Sequence, residues 1–156
     1  MREGLRPFTL PLEVVMKKRL ICNACGAELT GALRILSGKD PSVTSPEHVD
    51  RAPLTEPGVA FKSYEPIMRS FGDAPAPLEF TPQYWLNPDD LTDAVGNTPD
   101  NQHLSGCCGM GGFNGPNQIC RCGAEIGTLQ TDCVTPRVFI PEPGKTAWIE
   151  NFGTEE

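Results

Sequence analysis

The chain has 156 residues, of which 16 are Gly and 16 are Pro, and its hydrophobic content is 38%. That composition fits one domain of ordinary size with a modest core and few long regular elements. Thirteen Lys and Arg against twenty Asp and Glu give a formal charge of −7, which disfavours nucleic acid as the main partner, excludes no protein, and suits a basic one. No segment approaches the roughly 20 apolar residues of a membrane span.

In chain order, Met1 to Glu13 carries no clear period and is interrupted by Pro7 and Pro11, so it reads as a tail. The basic start at Met16 is followed by no signal-peptide core, and a reducing cytoplasm is the expected compartment. There, seven clustered cysteines read as metal ligands rather than as disulfides. Val14 to Ile21 predicts a strand leading to Cys22, and Glu28 to Leu36 a return strand, because Gly31 weakens a helix there. Ser37 to Pro57 is rich in Pro, Ser and acidic residues and should be irregular, apart from one helical turn opened by Ser45 and Pro46. Val59 to Tyr64 predicts a short strand. Ile67 to Phe71 fits a strand or one turn of helix, followed by a Pro-rich connection over Asp73 to Pro77.

Leu78 to Leu86 holds Phe80, Tyr84 and Trp85 and reads as core. Directly after it, Asn87, Pro88, Asp89 and Asp90 make a helix start, with Asn as cap and two carboxylates in the first turn. The helix is expected to end before Gly96. Gly109 to Pro116 reads as a loop that spaces metal ligands. Val134 to Ile140 predicts a closing strand, and Trp148, Ile149 and Phe152 are expected to dock the last segment.

The chemistry lies in a phrase that occurs twice. Ile21 to Leu29 reads ICNACGAEL and Ile119 to Ile126 reads ICRCGAEI. A cysteine pair followed by Gly directs two thiolates at one metal, with Gly admitting the tight turn beneath. Cys22, Cys25, Cys120 and Cys122 thus supply the four ligands of a structural Zn2+ site, the second pair with a one-residue gap where two is usual. Cys108 precedes Gly109 as Cys25 precedes Gly26, which makes it a rival fourth ligand. Alternatively His103, Cys107 or Cys108, and Cys133 form a second site or remain buried thiols.

At these knuckles the chain resembles the zinc-ribbon group, over some fifteen residues in two pieces. Ribbons keep their knuckles closer than the ninety-odd residues that separate them here. The run GCCG, followed by GPN, CRCG and TDC, is similar to small bacterial proteins, a resemblance that implies no activity. The expected architecture is a loop-rich α+β single domain with short strands, one or two short helices and a zinc-ribbon-like clasp of four cysteines. Its parts are a tail over 1–13, a first knuckle over 14–36, an inserted region over 37–102, a second cluster with a closing strand over 103–140, and a C-terminal segment over 141–156.

Catalytic readings find less support. Four thiolates leave a zinc ion no open position, Glu28 and Glu125 notwithstanding, and no His-x-Glu deaminase signature is present. A redox pair at Cys22 and Cys25 wants a thioredoxin-like strand and helix. A thiol nucleophile at Cys107 or Cys108 rests on His103 alone, and His48 reads as a surface residue. The glycine-rich loop lacks the Lys-Ser/Thr ending of a P-loop. The sequence therefore points to a non-enzymatic, zinc-stabilised module that binds a protein, for instance an immunity or antitoxin-like protein covering a basic partner. The alternatives are a thiol-dependent enzyme and a nucleic-acid-binding zinc ribbon.

Overall fold

A computed structural model describes residues 17–67, 80–104, 109–110, 116–132 and 135–150. The expectations placed on Met1 to Met16, on Met68 to Glu79, on Cys107, Cys108, Cys133 and Val134, on the centre of the glycine-rich loop and on Phe152 lie outside these residues. Among the described residues there are nine strands: β1 (Lys17–Cys22), β2 (Leu33–Ser37), β3 (Val59–Ser63), β4 (Gln83–Leu86), β5 (Val95–Asn97), β6 (Gln118–Cys120), β7 (Glu125–Gln130), β8 (Val138–Pro141) and β9 (Thr146–Glu150). They form one sheet in the order β9-β1-β2-β3-β4-β8-β7-β6-β5. Every pairing is antiparallel except β2 with β3, where Arg34 lies opposite Val59 and Ser37 opposite Lys62. A parallel pair needs a crossover, and the long connection over residues 38–58 supplies it.

The sheet curls. Five strands separate β1 from β6 in the hydrogen-bonded order, which in a flat sheet would hold them about 29 Å apart at about 4.8 Å per strand. Instead, Cys22 at the end of β1 and Cys122 just beyond β6 bring their sulfurs to 3.7 Å. Hydrogen bonds between distant turns close the same seam: the Thr92 amide donates to the Leu29 carbonyl at 2.9 Å, and the Thr92 hydroxyl donates to the Glu28 carbonyl at 2.7 Å.

Alternation along the central strands sends side chains to both faces, and both are buried. The concave face gathers Leu20, Leu33, Ala60, Leu86, Ile126 and Phe139, together with Cys22 and Cys120. The outer face gathers Phe61, Trp85, Val138 and Ile140, with Leu54 and Ile67 laid over them from the connections. Strands covered on both sides read as continuous apolar runs, as VFIP in β8 does. Gly127 in β7 leaves room for the Phe139 ring; a Cβ there would stand 2.4 Å from its Cζ.

The expectation of an α+β fold is overturned. Among the described residues the protein is nearly all β, and its longest helical piece is a four-residue 3-10 turn at Asn101–Leu104. The helix start at Asn87 forms as predicted, with Asn87 Oδ1 accepting from the Asp89 amide at 2.8 Å. It yields only the turn Pro88–Asp90. Two tertiary contacts stop it: Leu91 is extended and bridges Thr30, and the Asp90 carboxylate accepts from the Gly58 amide at 2.9 Å. Downstream, Val95–Asn97 is a strand rather than a helix end. No helical turn forms at Ser45 either, because that stretch is drawn across the outer face, where Val43 packs on the apolar cluster and His48 meets Trp85.

Trp85 and Leu86 are buried as expected of the aromatic stretch, while Phe80 and Tyr84 are half-buried. The last segment docks as the edge strand β9, with Trp148 opposite Leu20 and its ring 5.1 Å from that of Tyr84. Ile149 remains exposed.

Candidate metal centre

The two copies of the repeated phrase fold alike. In each, a strand ends on the first cysteine, the chain turns, and a glycine with positive φ begins the return: Gly26 at 79° and Gly123 at 96°. Such values favour glycine over any residue with a Cβ. In the first turn the Cys22 amide donates to the Ala27 carbonyl at 2.9 Å and the Gly26 amide to the Cys22 carbonyl at 2.8 Å. In the second, the Cys120 amide donates to the Ala124 carbonyl at 2.9 Å and the Gly123 amide to the Cys120 carbonyl at 2.7 Å. The second turn is one residue shorter and still delivers both thiols, so the one-residue gap is accommodated by tightening the turn. Beyond the turns, Ile21 faces Glu28 and Ile119 faces Glu125. The two knuckles are therefore equivalent hairpin ends, brought face to face by the curl of the sheet.

The Sγ atoms of Cys22, Cys25, Cys120 and Cys122 all lie within 4.8 Å of one another. Across the two knuckles, Cys22 lies 3.7 Å from Cys122 and Cys25 lies 3.6 Å from Cys120. A disulfide requires about 2.05 Å, so these are four free thiols. The edge of a tetrahedron with metal–sulfur bonds of about 2.3 Å is about 3.8 Å. The tetrad is thus within metal-binding distance and compatible with a zinc site. Cys22 and Cys120 are fully buried in the concave core, whereas Cys25 and Cys122 are exposed.

The backbone supports negative charge on sulfur. Burial alone pushes the Cys22 thiol up, but the amides of Cys25 and Ala24 and the thiols of Cys122 and Cys120 outweigh it and bring it down to about 7. Burial pushes Cys120 up to about 12, against the Cys122 amide and with help from the neighbouring thiols. The two residues share one site and cannot ionise independently. Charge on one of these sulfurs raises the cost of ionising its neighbour.

His103 is not part of the tetrad. Its Nδ1 lies 2.8 Å from the Pro116 carbonyl and its Nε2 3.6 Å from Asp100. Cys107, Cys108 and Cys133 lie outside the described residues, so Cys108 as a rival ligand and the second site are not addressed by this geometry. The tetrad is the sole grouping of three or more Cys, His, Asp or Glu ligand atoms among the described residues.

Comparison with family models, with curated proteins and with solved structures gave no match.

His48 corrects one expectation. It is half-buried rather than a surface residue, and its ring meets Trp85 edge-on at 5.2 Å. The sequence carried no signal for this contact, since His48 and Trp85 are far apart in the chain and neither lies in a motif. Among the described residues, no helix is long and apolar enough to cross a membrane.

Proposed function

We propose that the protein is a non-catalytic binding module whose curled sheet is clasped by a structural zinc ion on Cys22, Cys25, Cys120 and Cys122, and which acts by engaging a basic protein. The observation that carries the metal reading is the match between the sulfur separations of 3.6 and 3.7 Å and the edge of a zinc–sulfur tetrahedron. Zinc suits an all-thiolate tetrahedral set, and four protein ligands leave no position for water or substrate, so the role is structural. The low value of Cys22 favours a reactive thiol at first sight, but that sulfur is fully buried and beyond the reach of a substrate. For the partner, the supporting observation is the formal charge of −7, which complements and steers a basic surface.

Metal analysis of protein purified without added metal tests the clasp. About one zinc per chain is expected, falling to near zero in a Cys25→Ser, Cys122→Ser double variant. A stable, metal-free wild-type protein would overturn it. Co-purification tests the partner, and recovery of nucleic acid alone would remove the protein-binding reading.

A further inference from the structure

We infer that Cys25 and Cys122 are oxidation sites, at which hydrogen peroxide converts the tetrad into two disulfides, Cys25 to Cys120 and Cys22 to Cys122, and so exchanges a metal clasp for a covalent one. The release of a metal in this exchange rests on the zinc reading above, whereas the two linkages rest on the positions of the sulfurs. The tetrad is not evenly protected: Cys25 and Cys122 are exposed, and Cys22 and Cys120 are buried. Each exposed sulfur stands against a buried sulfur of the opposite knuckle, Cys25 at 3.6 Å from Cys120 and Cys122 at 3.7 Å from Cys22. An oxidant arriving from solvent therefore meets one sulfur of each pair, with the second already in place behind it.

The backbone holds the two knuckles face to face without help from a metal. Residues 92–94 join them: the Thr92 amide donates to the Leu29 carbonyl beyond the first turn, and the Ala94 carbonyl accepts from the Arg121 amide within the second, both at 2.9 Å. A bond inside the second knuckle is disfavoured. Cys120 and Cys122 are separated by Arg121 alone, in a turn fixed by the Gly123 amide on the Cys120 carbonyl at 2.7 Å, and so small a ring strains the dihedral angle that a disulfide prefers. With that bond set aside, full oxidation of the tetrad requires both disulfides to cross between the knuckles. The chemistry takes two steps for each pair. The Cys25 thiolate attacks the peroxide, forming an S–O bond as the O–O bond breaks, which leaves a sulfenic acid and hydroxide. The Cys120 thiolate then attacks the Cys25 sulfur, forming the S–S bond as the S–O bond breaks and a second hydroxide leaves. Two thiolates lose two electrons in total and one peroxide gains them; Cys122 and Cys22 consume a second peroxide in the same way. Metal ligation needs the thiolate, so a bound zinc ion departs as Zn2+.

The test treats the full chain, as purified, with a small excess of hydrogen peroxide. Zinc release is followed with a chromogenic chelator, and disulfides are mapped by fragment-ion mass spectrometry after the remaining thiols are blocked. Released zinc should rise with the loss of free thiol to about one ion per chain, and the two crossed linkages should dominate the map. The oxidised protein should keep its urea midpoint in a strong chelator and lose it when a reductant is added. Protein that contains no zinc and still forms both crossed linkages sustains the disulfides and removes the metal reading. Zinc-loaded protein that forms neither linkage keeps the metal reading and overturns this inference. It is likewise overturned if a bond between Cys22 and Cys25, or bonds to Cys107, Cys108 or Cys133, dominate the map, or if the thiols pass to sulfinic acid with no disulfide.

Discussion

The exposed cysteines offer the sharpest test of the clasp. Cys25 and Cys122 are exposed, whereas Cys22 and Cys120 are fully buried. If the thiols were only packing groups, Cys25→Ser and Cys122→Ser would be ordinary surface substitutions, worth no more than about 0.5 kcal/mol. If the four sulfurs share a zinc ion, each exposed cysteine contributes one quarter of the coordination shell, and removing it abolishes the linkage between metal binding and folding. With free zinc at about a thousand times its dissociation constant, that linkage is worth about 4 kcal/mol. Urea denaturation followed by Trp fluorescence, with and without a strong chelator, measures both numbers. The expected outcome is a loss of about 4 kcal/mol for either exposed variant in zinc-replete buffer, and a difference from wild type that shrinks below about 1 kcal/mol in chelator. Losses confined to Cys22→Ser and Cys120→Ser, unaffected by chelator, would refute the reasoning.

Other consequences follow from the packing. Gly127→Ala places a methyl 2.4 Å from Phe139 Cζ and 2.7 Å from the Ile140 carbonyl oxygen, and overpacking of this kind should cost about 1–3 kcal/mol in a thermal or chemical melt. Asn87→Ala removes both the cap on the Asp89 amide and the bond donated to the Thr55 carbonyl at 2.8 Å, and should cost about 2 kcal/mol in the same measurement. His48, whose pKa is held below 6.5 by burial, binds its proton more weakly in the folded than in the unfolded chain. Its neutral form therefore supports folding fully above pH 6.5, and that support is lost as pH falls through the lower folded value. Asp90 and Glu142 are raised by burial and act in the opposite sense at lower pH, so the effect is read as the difference in stability between wild type and His48→Gln across that window.

The knuckles were legible because their information is local. Cysteine spacing, the following glycine and the repeated Ala-Glu specify a turn within eight residues, and the four cysteines named from that pattern cluster within metal-binding distance. The sheet was not legible, because its pairings are long-range. Trp148 lies opposite Leu20, and nothing near either residue announces the other. Several strands are also too short to show a period, such as Val95–Asn97 and Gln118–Cys120. The helix at Asn87 was overextended for a related reason. A cap and a first-turn proline determine where a helix begins, but its length here is set by Thr30 and Gly58, which arrive from elsewhere in the chain. His48 and Trp85 likewise meet only because the parallel pair β2–β3 forces the connection between them across the outer face.

The separation of the two knuckles also bears on how the chain is made. Cys22 and Cys122 are 100 residues apart, and Cys25 and Cys120 are 95 apart. At a synthesis rate of about 5–20 residues per second, the first pair waits about 5–20 seconds for the second to follow it from the ribosome. During that interval two thiols stand without their partners, open to oxidation or to a mismatched ion. The strands that must pair around them, β2 to β5, are made in the same interval. Assembly of the cysteine tetrad is thus a late event of biosynthesis, and a metal ion bound there as proposed would close a loop of about 100 residues, a constraint comparable to a disulfide worth about 4.7 kcal/mol. If the tetrad holds zinc as proposed, zinc supply during translation would then bear on how much of the chain reaches its clasped form.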